Sequence, residues 1–368
     1  MTIIASFVIN NYPVLIGDIV TSGDEVVGKS CHIPTIGSIQ KVFPEGSGYV
    51  INGVVQKLYC ITSNLAIGFA GNIIAANLVL RELRNLCESN QDISLKDIAS
   101  YFTLGMDSWC KERLQATGFI KESKGIAPFS YNAQGFQSKH LGEVRLCGTG
   151  TYGLKTIIES FDPSLSFPKV NPLELAVGYI LGLINVLIGN EFITSNNLLE
   201  YYGGGYEIVT LVNGTFRKIQ DISYVIWLVH VANNGDIKIT VPQFVLKIYY
   251  VGDLLFIRKI SLESKDEIIG IKEESINVIS SIGTTIIDKS KFVNHEPPSF
   301  NSPFTCHYFF IESGNGLSNV YSRIEYTGNN NYKFKIFESK AKFDCYIYRQ
   351  FIVDVASEIS AKLKQTTN

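Results

Sequence analysis

The sequence predicts an α+β fold in which helices pack on stacked β-sheets. Apolar, β-branched runs occur in groups, and pairs of segments with helical spacing separate these groups. Beyond about residue 220, strand-like runs with Asn/Gly turns continue almost to the end of the chain. Groups of strands separated by helix pairs are typical of layered α+β domains. We therefore expect a layered α+β domain followed by an additional β-rich C-terminal region.

The first strands are expected to form hairpins. Strand-like runs rich in Val, Ile and aromatic residues, joined by short polar turns, indicate paired antiparallel strands. Two such pairs are present, at residues 2–9 with 13–18 around Asn10-Asn11, and at residues 55–62 with 65–70 around Ser63-Asn64.

Helical spacing begins after the second hairpin, from Ile74 to about Glu88. A second helix is expected from a capping box formed by Ser94 and Asp97 to about Leu114. The later elements are strands at about 127–131 and 142–148, helices at about 152–160 and 172–190, and a strand at 205–212 before an Asn-Gly turn.

The most apolar run of the sequence, at 173–189, falls in one of these helices. It is interrupted by Glu174 and Asn185 and is short for a membrane span. We therefore expect a buried helix there.

The composition changes near residue 218, where the helical segments stop. We expect a domain at 1–218, with a long inserted loop at 23–54, and a β-rich domain at 219–368 that ends in a helix at about 350–364. Nothing in the sequence indicates the role of this second domain.

Charge and cysteine content exclude several classes of function. The net charge is −2 and the pI is near 6.2, so no basic field would attract nucleic acid or an anionic membrane. The seven cysteines are scattered without a CxxC pair, which indicates neither a disulfide framework nor a zinc site. With no signal-peptide pattern at the start, we expect a cytoplasmic protein. We also expect it to need no metal or organic cofactor.

The second residue carries the first chemical signal. Methionine is usually removed when the following residue is as small as threonine, which would make Thr2 the N-terminal residue. Thr2 would then hold a hydroxyl nucleophile and an α-amine, whose reference pKa of about 7.7–8.0 suits a general base near neutral pH. This combination is a known solution to nucleophilic catalysis.

Such a nucleophile also needs a cation, a carboxylate that holds the cation, and backbone N–H groups for the oxyanion. The sequence offers one candidate for each. Asp18 ends the second strand, Lys57 lies early in the third, and the FAGN turn at 69–72 lies between a strand and a helix. Backbone amides at such a turn are free to donate hydrogen bonds.

In these residues the chain resembles proteasome β subunits and the related bacterial heat-shock peptidase, members of the N-terminal nucleophile (Ntn) hydrolase superfamily. The matching pattern is Thr2, then Asp18 sixteen residues later, TSG at 21–23, Lys57, and an AG turn ending fourteen residues after the lysine. The resemblance extends over about residues 2–215, through CGTG at 147–150 and EYYGGGYEIVTL at 200–211.

The resemblance implies a four-layer αββα sandwich and a set of roles. Thr2 would be the nucleophile and its α-amine the base, Lys57 would lower the pKa of that amine, and Asp18 would hold Lys57. The Gly71 amide would form the oxyanion hole. Thr149 and Glu200 would be supporting catalytic residues.

The sequence departs from the family at three supporting positions. Thr149 replaces the usual serine, Glu200 replaces the usual aspartate, and Gly203 replaces a serine whose hydroxyl would donate a hydrogen bond. These changes alter the length or bulk of a side chain, or remove a hydrogen-bonding group, near the α-amine of Thr2.

Four further positions match those that line the specificity pocket in the family. An apolar, tight pocket that favours small or medium apolar side chains would follow, although Phe69, Ile73 and Val55 could equally be core residues. The four positions are Thr21, Val55, Phe69 and Ile73.

The sequence thus favours a threonine-type hydrolase that cleaves peptide or amide bonds through an acyl-enzyme on Thr2. The resemblance implies a peptide or protein substrate and assembly into a homo-oligomer, with a ring as one form; an ATPase or cap partner stays open. The alternative is a catalytically inactive, proteasome-like scaffold or regulatory binding protein. A small-amide hydrolase with the same residues is a third reading.

Overall fold

The computed structural model describes fourteen segments of the chain, at residues 2–24, 31–38, 42, 49–90, 92–163, 171–194, 196–200, 202–232, 234–265, 268–282, 298–313, 316–326, 334–339 and 342–366. Two compact units are present. The first comprises Met1–Ile219 with Ile279–Ile287, and the second comprises Gln220–Val278 with Asp288–Asn368. Met1 and much of the expected 23–54 loop (residues 25–30, 39–41 and 43–48) lie outside the described residues.

The first unit contains two principal antiparallel sheets, of six strands (β11-β12-β1-β2-β13-β14) and four strands (β10-β9-β8-β7), and two small pairs, β3-β6 and β4-β5. The strands are β1 (Ile4–Ile9), β2 (Tyr12–Asp18), β3 (Val20–Asp24), β4 (His32–Ile33), β5 (Gly37–Ser38), β6 (Tyr49–Val54), β7 (Leu58–Thr62), β8 (Leu65–Gly71), β9 (Leu114–Glu122), β10 (Gly125–Tyr131), β11 (Gln134–Ser138), β12 (Gly142–Cys147), β13 (Tyr206–Val212) and β14 (Thr215–Lys218).

The hairpin of β1 and β2 fixes the start of the chain. Asn10 and Asn11 both have positive φ (49° and 65°), the conformation of a two-residue turn that matches the twist of its strands. The ladder pairs Ile9 with Tyr12 and Ile4 with Gly17. Residue 3 therefore lies opposite residue 18, and both principal sheets contribute buried apolar side chains to one cluster beside this hairpin.

The described residues of the first unit form six α-helices and one π-helical turn at Tyr101–Gly105. The α-helices are α1 (Ile73–Ser89), α2 (Leu95–Ser100), α3 (Ser108–Lys111), α4 (Thr151–Ser160), α5 (Pro172–Thr194) and α6 (Asn196–Leu199). The Asn72 side chain accepts hydrogen bonds from the amides of Ile74 and Ala75 and so caps α1 directly after β8. The predicted capping box of Ser94 and Asp97 is present at the start of α2.

The α5 helix corresponds to the most apolar run of the sequence. By length and composition, Pro172–Phe192 would be sufficient to cross a membrane, but 67% of this window is buried inside the protein. Glu191 and Asn185, the polar side chains near its end, are also fully buried. Packing within the first unit accounts for the helix, as expected.

The second unit is built on a seven-stranded sheet of order β19-β18-β17-β15-β20-β21, with β16 beside β15, and a separate β22-β23 pair. Trp227, His307 and Phe351 lie in its buried core. Its elements are β15 (Ile222–Val231), β16 (Ile237–Ile239), β17 (Phe244–Val251), β18 (Leu254–Lys265), β19 (Ile268–Ile279), β20 (Phe304–Ser313), β21 (Gly316–Tyr326), β22 (Phe334–Ser339), β23 (Lys342–Ile347) and α7 (Arg349–Thr366).

The prediction of a four-layer αββα sandwich is wrong. Strands account for 48% of the structure and helices for 29%, and the strands form several separate, mainly antiparallel sheets. Residues 95–122 show one physical reason. The helix expected up to about Leu114 is instead α2, a π-helical turn at Tyr101–Gly105 and α3. No element was predicted for 115–122, yet from Leu114 the chain forms β9 between β8 and β10. A largely buried central strand lacks the polar–apolar alternation by which a strand is recognised in a sequence.

Candidate functional site

A cleft with a volume of about 230 Å³ lies at the end of β8 in the first unit. Its floor contains Thr2 and Lys57, and its walls combine apolar and small polar side chains. The lining residues are Thr2, Thr21, Ser22, Asn52, Val55, Lys57, Phe69, Ala70, Gly71, Asn72, Ile73, Ala76 and Ile282.

The β1–β2 hairpin brings Thr2 and Asp18 together. Asp18 N–H donates to Ile3 O (3.1 Å), which continues the ladder beyond the ends of the two strands. The Thr2 hydroxyl donates to Asp18 Oδ1 (3.2 Å), and Ile3 N–H donates to the same oxygen (2.9 Å). Thr2 is 2% exposed and Asp18 is fully buried.

The Asp18 carboxylate accepts hydrogen bonds on both oxygens. Besides Thr2 and Ile3, Lys57 Nζ donates to Oδ1 (2.6 Å), while the amides of Val20 and Gly203 donate to Oδ2 (3.2 and 3.1 Å). Five donors thus hold this side chain in one orientation. Asp18 is therefore a fixed acceptor on which Thr2 and Lys57 converge.

Lys57 is buried beside Thr2 in the cleft. Its ammonium donates to Asp18 Oδ1 and to Val20 O (2.5 Å). Burial lowers the pKa of Lys57, while the nearby charges of Asp18 and Glu207 and the Asp18 hydrogen bond act in the opposite direction. A cation here would favour the neutral form of an amine at residue 2, which is the form that accepts a proton.

A second buried carboxylate, Glu207 on β13, holds the backbone next to this lysine. Glu207 Oε2 accepts from Lys57 N–H (2.7 Å) and Leu58 N–H (3.3 Å), and Oε1 pairs with Lys218 Nζ (2.6 Å). Glu207 is not among the site residues predicted from the sequence. The signal that could have identified it is an acidic residue within the apolar strand YEIVTLV.

The hydrogen bonds of the residues on either side of Gly71 indicate where its amide is directed. Asn72 N–H donates to Arg113 O beside β9 (2.9 Å), whereas Phe69 N–H donates to Lys57 O on the opposite side of β8 (3.2 Å). Because successive amides alternate between the two sides of a strand, Gly71 N–H is directed like Phe69 N–H, away from β9. β7 starts at Leu58, opposite Gly68, so the Gly71 amide lies beyond its end and can donate to a ligand.

Gly148 packs closely against the backbone of Thr2. Its φ is +103°, and an added Cβ would overlap the Thr2 carbonyl. Its amide donates to Gln115 Oε1 (2.6 Å). From the CGTG segment the sequence predicts a supporting role for Thr149, whereas the structure places the neighbouring Gly148 against Thr2.

The four candidate pocket residues all line the cleft. Val55 and Phe69 are 8% and 2% exposed and also belong to the apolar core cluster, so each is both a core and a cleft residue. Thr21 donates to Asn52 Oδ1 (3.1 Å) on the polar side. Ile73 is 43% exposed, at the rim.

Two of the candidate supporting residues lie away from this cluster. Thr149 and Glu200 are exposed, and within the described part of the chain neither is among the residues that line the cleft or bond Asp18. Gly203 bonds Asp18 through its backbone. Its φ is +127°, a backbone conformation that residues with a side chain rarely adopt, so a serine at this position would be strained.

Among the described residues, no group of three or more His, Cys, Asp or Glu side chains is placed to hold a metal ion. The groups that line the cleft or bond its lining residues include the Thr2 hydroxyl, the Lys57–Asp18 ion pair and the backbone of Gly71.

No protein-family profile and no curated protein sequence matches this chain.

Proposed function

We propose that this protein is a threonine-type hydrolase that cleaves a peptide or amide bond with the Thr2 hydroxyl, after removal of Met1. The observation that carries the proposal is the convergence of Thr2 and Lys57 on Asp18 at a cleft that Gly71 also lines. A nucleophile, a cation and an oxyanion donor thus share one site.

In the proposed reaction, the Thr2 oxygen attacks the scissile carbonyl carbon and its proton passes to the α-amine, directly or through a water. The Gly71 amide donates to the oxygen that becomes negative. Collapse of this intermediate breaks the C–N bond, and the protonated α-amine gives its proton to the departing amine. The resulting ester on Thr2 is then hydrolysed by water, which regenerates the hydroxyl.

Lys57 and Asp18 have separate roles in this proposal. The Lys57 ammonium lowers the pKa of the α-amine by charge repulsion and keeps it neutral near physiological pH. Asp18 holds Lys57 (2.6 Å) and also accepts from the Thr2 hydroxyl (3.2 Å), so both groups keep fixed positions.

The walls of the cleft suggest the substrate. Val55, Phe69 and Ala76 present apolar surface, whereas Thr21 and Asn52 are polar. We propose peptides or proteins with a small or medium apolar residue at the cleavage site, in a cytoplasmic protein that forms a homo-oligomer. A ring remains one form of that oligomer.

The test is the intact mass of the purified protein after exposure to a peptide epoxyketone, which reacts with both the hydroxyl and the amine of an N-terminal threonine. We expect loss of Met1 and one adduct. The control is Thr2→Ala, in which no adduct should form. Retention of Met1 without an adduct would contradict the proposal.

A second candidate, a non-catalytic scaffold or regulatory protein, is favoured by one observation. Thr149 and Glu200, the expected supporting residues, are exposed and are not among the described residues that line the cleft. A trimmed Thr2 that reacts with no epoxyketone and cleaves no amide would favour this candidate.

A further inference from the structure

We propose that Ile282, held in place by the segment 279–282, forms one wall of the substrate pocket and limits the size of the substrate side chain. This inference rests on the hydrolase function proposed above. It concerns a part of the chain outside the 2–215 region in which the catalytic residues lie. Residues 279–282 belong to the first unit, together with the cleft.

The segment is anchored to the residue that precedes Lys57. Gln56 N–H donates to Ser280 O (2.9 Å), and its side-chain Nε2 donates to Ile279 O (2.7 Å). Gln56 and Ser281 also form a parallel β-bridge. Gln56 is fully buried, so these bonds are shielded from competing water.

Tyr59 fixes the end of the segment. Its hydroxyl accepts from Ile282 N–H (3.0 Å) and donates to Gln56 O (2.7 Å). Burial raises the pKa of Tyr59 well above its usual value, so the hydroxyl keeps the proton that it donates. The Ile282 backbone is thereby held against β7, through Tyr59.

The Ile282 side chain is part of the cleft wall. It is 8% exposed, lines the cleft, and belongs to the apolar cluster that contains Val55, Phe69 and Ala76. Isoleucine is stiff at χ1, and its backbone is held by Tyr59. The wall therefore cannot recede easily when a larger side chain enters.

Shortening Ile282 should enlarge the pocket. Ile282→Ala removes three carbon atoms, and one methylene in an apolar pocket already changes discrimination by about 10-fold or more. We therefore expect the ratio of reaction rates for large and small side chains to rise at least about tenfold in Ile282→Ala. Ile282→Val, which removes one carbon, should give a smaller rise in the same direction.

The experiment measures the rate of adduct formation on Thr2 with three peptide epoxyketones that carry Ala, Leu or Phe next to the warhead. The matched control is Ile276→Ala, the same substitution on β19 at a residue that is 45% exposed and does not line the cleft. The control should keep the wild-type ratio of Phe to Ala reagents. Circular dichroism and thermal melting check that each variant is folded.

The outcomes separate this inference from the proposed function. A wild-type protein that reacts with none of the three reagents overturns both. A wild-type protein that reacts, with the same Phe-to-Ala ratio in folded Ile282→Ala, overturns this inference alone. If Ile282→Ala does not fold, Ile282→Val decides, and an unchanged ratio in that variant also overturns it.

Discussion

Removing either member of the buried Lys57–Asp18 pair should cost stability unequally. Lys57→Met leaves Asp18 with four donors, namely the Thr2 hydroxyl and the amides of Ile3, Val20 and Gly203. Asp18→Asn instead leaves the Lys57 ammonium buried beside Val20 O without its carboxylate. The side-chain amide of this variant also carries N–H groups, and these would face the backbone amides of Val20 and Gly203, which already donate hydrogen bonds to this side chain.

The structure sets the size of each effect. Asp18→Asn leaves an uncompensated buried charge, which costs about 3–5 kcal/mol of unfolding free energy. Lys57→Met removes one hydrogen bond to a charged group, worth about 1.5–3 kcal/mol, because the remaining donors still satisfy the carboxylate. We expect Asp18→Asn to be the more destabilising variant by about 1–2 kcal/mol.

Native-state hydrogen exchange read by mass spectrometry measures this difference in the first unit. Peptides from β1 and β2 report the unit that contains the change, and peptides from β15 serve as an internal control. Equal losses in the two variants, or a larger loss in Lys57→Met, would refute the argument that Asp18 is satisfied by its backbone donors.

Three other outcomes are expected. Gly71→Ala places a Cβ against Arg113 O and should slow epoxyketone labelling of Thr2 by about 10²–10³-fold, as for the loss of an oxyanion donor; near wild-type labelling would argue against this role. Burial lowers the pKa of Lys57, so the unfolded chain binds the lysine proton more tightly than the folded protein does. The wild type should therefore gain stability relative to Lys57→Met as the pH rises towards about 10.4, the pKa of an unperturbed lysine. Urea unfolding in alkaline buffers measures this difference, and a constant difference would contradict it. Thr149→Ala and Glu200→Gln, both at exposed residues, should label within about twofold of wild type, and a large loss in either would show a supporting role.

Local sequence signals predict the parts of the site that depend on neighbouring residues. Asn10-Asn11 marks a two-residue turn, and the ladder that follows places residue 3 opposite residue 18. The FAGN turn marks the end of β8, where the Gly71 amide faces the cleft. In both cases turn chemistry and strand period are enough to derive the geometry.

Long-range contacts explain what the sequence could not reveal. Gly148 meets Thr2, and Ile282 meets Tyr59, across more than a hundred residues of chain. No periodicity encodes such a pairing. The same limit explains the error in fold class, because β9 is defined by its two neighbouring strands rather than by its own pattern.

The two-residue turn at Asn10-Asn11 also has an evolutionary consequence. With this turn kept, lengthening the hairpin adds one residue to each strand, so the number of residues between Thr2 and Asp18 can change only in steps of two. A single insertion within either strand would instead rotate one of the two side chains to the opposite face. Homologous chains that use this site should therefore keep an even Thr-to-Asp spacing, whatever the rest of their sequence does.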